Sequence, residues 1–508
     1  MSQKIFVLAL VVVVGVTMFL QFSDLVIIVH EALFDLKNAV FSRNEKDPPS
    51  LPKYKDYNVI LISLDTLRAD RLGCYGYSRN TSPNIDMFAN RSLVFKNTFS
   101  NAYNTLPSHM SIFSGLYPPT HKMNFYGGPA LSPDFLTLPQ ILKRHGYQTI
   151  WNGPLYTSAL DLKKGFEKGI DSFYDSCFST TEGYELQRFE QILETIDSKF
   201  YLFIHSYLNH TPYYYPFHFD STFINASYNG RLPKNFSACT DKLFLYIQND
   251  YKKKFSEFNY KTRTLPSHLK SELINMVRSN NRDDFSKMVF RLQGDPGLPE
   301  DYRISFFFPN IIIRNPTSAD ISELNNRYDN GVFYVDYVFQ KILLALKEKG
   351  LLEKTIIIIT SDHGEELYEH KAFDHNSFYD HTIQTPLIIK IPGLDKKVEI
   401  NTLAQSIDIM PMLLSLLGIK APGYLQGKNL LAQHDNQNTY VFGYSFGAMY
   451  ARSDRWKYIV NNDGTEELYH LPSDAGEQNN LVNTRSMFAK KQKVKMKRAL
   501  DLWLLKQF

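Results

Sequence analysis

Thr355-Ile356-Ile357-Ile358-Ile359-Thr360 runs straight into Ser361-Asp362-His363-Gly364. Four successive β-branched apolar residues, with no polar alternation, describe a strand buried on both faces, as in a parallel sheet. The run ends in polar residues and a glycine at its carboxyl end. Three other stretches repeat the pattern: Tyr57 to Leu64, ending at Asp65; Tyr201 to His205; and Pro386 to Ile391. All four read as parallel strands. Helical patterns lie between them, at Leu138 to His145, Tyr184 to Ile196 and Tyr328 to Lys349; in the last, Val332, Val335, Phe339, Ile342 and Leu346 recur on one face. Strands alternating with helices predict an α/β fold, a mostly parallel sheet with helices on both faces. Such sheets bind ligands beyond the carboxyl ends of their strands, where Asp65 and Asp362-His363 sit.

The 508 residues suffice for a large buried core. Hydrophobic residues at 44% and charged residues at 21% exclude a disordered chain and a polytopic membrane protein. A net charge of +4 over this length excludes a strongly basic nucleic-acid binder. Cys74, Cys177 and Cys239 match no zinc spacing and make no disulfide scaffold. Near the amino end, Lys4 precedes an apolar run from Ile5 to Leu20. It exceeds the ~7–15 residues of a signal-peptide core, and no small-x-small cleavage pattern follows. Residues 1–23 therefore read as a retained signal anchor, with secretion after cleavage as the alternative. Lys4 favours a cytoplasmic amino terminus, so the rest of a single-pass chain would face the periplasm or the exterior.

Residues 24–56 read as a stalk closing in Asp47-Pro48-Pro49-Ser50-Leu51-Pro52, and 57–435 as the main domain. Within it, 220–315 is aromatic, rich in Lys and Asn and without strand periodicity, and reads as an inserted, partly helical cap. Residues 436–508 read as a small antiparallel subdomain. Tyr440–Tyr444, Trp456–Val460 and Glu467–Tyr469 are its strands, and the turn Asn461-Asn462-Asp463-Gly464 makes a hairpin of the last two. Met487 to Leu505 closes the chain as a basic amphipathic helix whose default reading is a solvated face, with contact with an anionic membrane surface as the minority reading.

Asp65 and Asp362-His363 end separate strands on one sheet edge and can converge on one divalent cation. Carboxylates with one imidazole suit Ca²⁺, Mn²⁺, Mg²⁺ or Zn²⁺ alike. Thr105 precedes Leu106-Pro107, and proline is at home in a helix's first turn. Its hydroxyl then lies at a positive helix end that welcomes an anion, either as a plain N-cap or as a nucleophile.

Five segments in order carry a resemblance. Ser63-Leu64-Asp65-Thr66-Leu67-Arg68-Ala69-Asp70-Arg71-Leu72-Gly73-Cys74-Tyr75-Gly76 is the first, and Asn104-Thr105-Leu106-Pro107-Ser108-His109 to Ser114-Gly115-Leu116-Tyr117-Pro118 the second. Asn209-His210-Thr211-Pro212-Tyr213 follows, then Thr360-Ser361-Asp362-His363-Gly364-Glu365-Glu366 with Phe373-Asp374-His375. Arg455-Trp456-Lys457-Tyr458 and Glu467-Leu468-Tyr469 to Glu477-Gln478-Asn479-Asn480-Leu481 close the series. Together they resemble the sulfatase branch of the alkaline phosphatase superfamily. The resemblance implies an alkaline-phosphatase-like fold and one divalent metal ion on Asp65, Asp362, His363 and Thr105. It makes Thr105 the nucleophile, with His210 and His375 binding substrate oxygens or protonating the leaving group. His109 joins the expected catalytic residues where the family carries an arginine. Departures shape the expected chemistry. Thr105 replaces the Cys or Ser that sulfatases oxidise to formylglycine, and Thr66 replaces the second Asp of a metal pair. The resemblance thus implies an anchored, metal-dependent hydrolase or transferase acting on a phosphate-type anionic ester, of the kind found on lipid or glycan headgroups. The alternatives are a sulfatase working without formylglycine and a catalytically weak relative that binds anionic glycans.

Overall fold

A computed structural model describes residues 22–41, 53–123, 129–153, 164–174, 184–211, 213, 219, 222–230, 232, 267–279, 315–432 and 437–507. Their fourteen strands are β1 (Asn58–Leu64), β2 (Leu93–Phe99), β3 (Gln148–Asn152), β4 (Ser172–Tyr174), β5 (Phe200–Ser206), β6 (Thr355–Thr360), β7 (Glu366–Leu367), β8 (Phe373–Asp374), β9 (Leu387–Lys390), β10 (Val398–Gln405), β11 (Val441–Ser445), β12 (Ala448–Arg452), β13 (Trp456–Val460) and β14 (Glu466–His470). The helices used below are α1 (Phe22–Phe41), α2 (Pro83–Ala89), α3 (Thr105–Ser114), α4 (Leu138–Arg144), α5 (Tyr184–Glu194), α6 (Ser267–Arg278), α7 (Ser318–Glu348), α8 (Ile409–Leu416) and α9 (Met487–Leu505).

The central sheet runs β10-β2-β9-β6-β1-β5-β3-β4. β1 lies in its middle, parallel to both β5 and β6. Successive β1 side chains alternate between two cores, as the strand period of two requires. Val59 and Leu61 pack with α3, α4 and α8 on one face. Ile60 and Ile62 pack with α2, α5 and α7 on the other. Helices thus cover both faces. One expectation is corrected: β9 is buried but antiparallel to its neighbours β2 and β6. A continuous apolar run reports burial on both faces and carries no information about direction.

β11 to β14 form a separate four-stranded antiparallel sheet, and Gly464, at φ 81°, allows the tight turn between β13 and β14. Part of the expected stalk is also corrected. α1 is a helix docked on this subdomain, where Arg455 pairs with Glu31 and Asp35. Lys53 and Tyr54 rejoin the body, with the Tyr54 amide donating to the Leu416 carbonyl at 2.8 Å. α7 starts ahead of its expected start at Tyr328, because its first turns bury polar rather than apolar groups: Thr317 and Asp320 form a capping box, and Asp320, Glu323, Asn326 and Arg327 are buried. Of the segment 220–315, α6 is described, together with residues 222–230 and Leu232, where Tyr228 and Leu232 pack in the same core as α7; most of the remainder lies outside the described residues. So does the anchor expected at residues 1–23, save its last two positions. Among the described residues no helix is long and apolar enough to cross a membrane.

Candidate active site

The carboxyl ends of β1, β5 and β6 are in register: Ser63 lies opposite His205 on one side and Thr360 on the other. The loops that follow carry Asp65 after β1 and Asp362-His363 after β6. Burial is complete: Asp65, Asp362, His363, His109 and His205 are 0% exposed and Thr105 1%. One ligand atom each from Asp65, Asp362 and His363 lie within 4.8 Å of one another.

Hydrogen bonding shows which atoms remain free. Asp362 Oδ1 accepts from the His363 amide at 3.0 Å and the Thr66 amide at 3.4 Å, while its Oδ2 has no hydrogen-bond donor. The φ of 56° at Thr66 turns that amide towards Asp362. Asp65 Oδ2 faces His205 Nε2 at 3.1 Å, while its Oδ1 has no donor. His363 Nδ1 lies 2.9 Å from the Gly364 carbonyl, which can only accept, so Nδ1 carries the hydrogen and Nε2 keeps its lone pair. That nitrogen stands 3.3 Å from Asp362 Oδ2 and 3.3 Å from the Thr105 hydroxyl. Burial pushes the His363 pKa down to about 3, so the ring is neutral at pH 7.

Acceptors therefore converge without donors between them. Burial, and then the neighbouring Asp362 charge, raise the Asp65 pKa well above the carboxylate range. For Asp362 burial acts upward too, but His363, His109 and His205 outweigh it and hold the group low. Among the described residues no lysine or arginine forms an ion pair with either carboxylate. Two orphaned buried carboxylate oxygens, one imidazole lone pair and a hydroxyl fit a divalent cation, and this donor set is compatible with several metals.

Thr105 is the first residue of α3, with Pro107 inside the first turn and Asn104 extended before it. Its hydroxyl thus sits at the positive helix end. His109, one turn later, has both nitrogens engaged, with the Thr105 carbonyl and the Ser63 hydroxyl at 2.8 Å each. Its Nδ1 also lies 3.7 Å from Asp362 Oδ2. His375 stacks 4.2 Å from the His363 ring and is held by the Tyr103 carbonyl at 2.9 Å and Asp374 at 3.0 Å. His210 lies 5.9 Å from His375 between ring centroids, and its Nδ1 is taken by the Thr211 carbonyl at 2.9 Å, leaving Nε2 for chemistry.

Two groups escaped the sequence reading. His205 orients Asp65, and it was hidden as the last residue of an apolar run, although a polar residue there is the same signal that marked Asp65. Glu365 is buried, accepts from the Tyr213 hydroxyl and has its pKa raised by burial and then by Asp374.

The sulfatase family model matches residues 57–419, most of the chain. The chain belongs to the sulfatase family. A second model, the C-terminal region of N-sulphoglucosamine sulphohydrolase, matches 368–502. The chain is 25% identical to arylsulfatase K of Bos taurus over 455 residues, covering 84% of this chain and 78% of that protein. It is 23% identical to an ulvan-active sulfatase of Formosa agariphila over 484 residues, covering 90% and 82%. Among solved structures, the phosphonate monoester hydrolase of Agrobacterium radiobacter aligns with a TM-score of 0.64 at 18% identity, covering 89% of this chain and 96% of the other. A protein solved with its substrate D-glucosamine-2-N,6-O-disulfate also gives 0.64, at 20% identity and 89% and 98% coverage. The fold is thus the alkaline-phosphatase-like one, and this family member is an ester hydrolase.

Proposed function

We propose that this sulfatase-family hydrolase is metal-dependent and cleaves a phosphate-type ester through Thr105. The observation that carries the reading is the Thr105 hydroxyl at 3.3 Å from His363 Nε2, beside the orphaned oxygens of Asp65 and Asp362. A divalent cation held by Asp65, Asp362, His363 and Thr105 would neutralise charge on the ester oxygens and lower the pKa of the hydroxyl. Thr105 Oγ1 gives its proton to solvent water and forms an O–P bond as the P–O bond to the leaving group breaks. The departing oxygen takes a proton from His210 Nε2. A water then attacks phosphorus and gives its proton back to His210 as the O–P bond to Thr105 breaks, and the released Thr105 oxygen takes a proton from solvent water. Threonine cannot become formylglycine, so an enzyme-bound ester must be resolved at the central atom itself. That route suits phosphorus. Sulfate esters form the second reading, favoured by the sulfatases among the relatives; a sulfated or phosphorylated glycan would bring either ester.

Thr105→Ala, assayed on aryl phosphodiesters, aryl phosphonates and aryl sulfates, tests the reading. Turnover of the phosphorus esters falls by about 10³-fold or more, and the unaltered enzyme trapped with substrate carries a phosphate on the peptide containing Thr105. A sulfatase activity that survives the substitution overturns the assignment of the nucleophile. Residues 1–23 serve, in the same proposal, as a retained anchor with the catalytic domain outside the cytoplasm; the apolar run from Ile5 to Leu20 supports this. Release of the chain from membranes by alkaline carbonate would refute it.

A further inference from the structure

α9 is apolar on two opposite faces. Ala489, Met496, Leu500 and Trp503 are buried against β12 and β13. On the outside, Met487, Val494 and Leu505 are 75%, 68% and 75% exposed, and at about 100° per residue they fall on one line along the helix. Leu502 stands beside them, half exposed. Lys490 and Lys497 flank this line on one side and Lys491 and Lys495 on the other, with Arg498 on it and the exposed Asp501 between it and Lys490 and Lys497. Lys493 and Lys497 are neutralised by Glu466 at 2.6 and 2.7 Å. Among the described residues, Lys490, Lys491, Lys495 and Arg498 have no acidic partner in an ion pair.

A second observation says what covers this face. The chain enters the described structure at Phe22, directly after the apolar run from Ile5 to Leu20. Two residues on, the buried Asp24 accepts a hydrogen bond from Ser486, the residue that caps the amino end of α9. Trp456 Nε1 donates to Glu31 at 3.1 Å, and Arg455 pairs with Glu31 and Asp35, so α1 is fixed to the subdomain that carries α9. The described chain therefore begins beside the amino end of α9.

We infer that the outer face of α9 docks on an anionic lipid surface, its apolar line entering the headgroup layer and its lysines reaching the phosphates. Lysine stems lie naturally along such an apolar line with their heads in the polar layer. The inference rests on the proposed anchor for delivery to the membrane only; the line and its flanking charges stand apart from it.

Acetylation footprinting of the full chain in lipid nanodiscs tests it, read by mass spectrometry at Lys490, Lys491 and Lys495 with the exposed Lys347 and Lys349 as references. In discs containing phosphatidylglycerol the three α9 lysines react about threefold or more slowly than in phosphatidylcholine discs, high salt restores them, and the references stay unchanged. Equal reactivity in both lipids, with the chain retained in the discs, overturns the docking and leaves the anchor standing. A chain retained in neither disc refutes the anchor. Sedimentation with phosphatidylglycerol vesicles at low salt then decides the docking: pelleting supports it, and a chain left in solution overturns it. Protection that develops in detergent and grows with protein concentration would mean that a second copy covers the face, and would also overturn it.

Discussion

Two of the acidic clusters buried among the described residues are balanced in opposite ways. At the junction of the two sheets, Asp380 meets Arg452 at 3.0 Å and Lys457 at 2.8 Å, and Lys457 meets Glu477 at 2.8 Å. Although burial alone would raise the Asp380 pKa, these cations hold it well below the carboxylate range. At the carboxyl edge of the large sheet, Asp65 and Asp362 are surrounded by imidazoles and a threonine and, among the described residues, pair with no lysine or arginine. The first cluster carries its own counter-charge and ties the C-terminal subdomain to the body. In the proposed reading the second takes its counter-charge from a bound cation. Burial of acids does not by itself mark a metal site; the proposed one differs in having no resident cation.

Substitutions separate the two. Asp362→Asn removes a donor and a charge from the open cluster, and kcat/KM falls by about 10³-fold or more, with weakened metal binding by calorimetry and little change in Tm. Lys457→Met does the reverse. It strands Glu477 and leaves Asp380 with Arg452 alone, lowers stability in urea by about 3–5 kcal/mol and leaves metal affinity unchanged. A loss of metal affinity in Lys457→Met would break the comparison.

His205→Asn is a smaller probe of the open cluster. It removes the partner of Asp65 Oδ2 and weakens metal affinity by about 10–100-fold, as expected for a group that orients a ligand. The smallest effect belongs to the closed cluster. Burial, and Asp380 beside it, push the Glu477 pKa up to about 7, with Lys457 opposing. Because the folded state holds that proton more tightly than the unfolded chain, its contribution to stability is lost as pH rises from about 4.5 towards 7. Glu477→Gln removes the slope, so the stability of the variant relative to the parent rises across that window by up to about 1.4 kcal/mol per pH unit.

What the sequence disclosed follows from where each cluster lies. β1, β5, β6 and β9 are continuous apolar runs, because strands buried on both faces need no polar alternation. Asp65, Asp362 and His363 are legible because polar residues break such runs at the end where the sheet binds ligands. β2, with Lys96 and Asn97 half-buried, and β10, with an irregular register between Ile400 and Leu403, carry no comparable signal. Asp380, Lys457 and Glu477 are far apart in the chain and become a cluster only through the packing of two sheets. His205 was hidden by its neighbours, being a strand residue by pattern and a site residue only through its register with Ser63.

The pairing of β1 with β6 also dictates an order of assembly. β6 follows β1 by roughly 300 residues, so during synthesis at about 5–20 residues per second the first half of the site waits some ~15–60 s for the second. Until Asp362 and His363 emerge the proposed cation site lacks two of its ligands, and a chain terminated before residue 355 never acquires them.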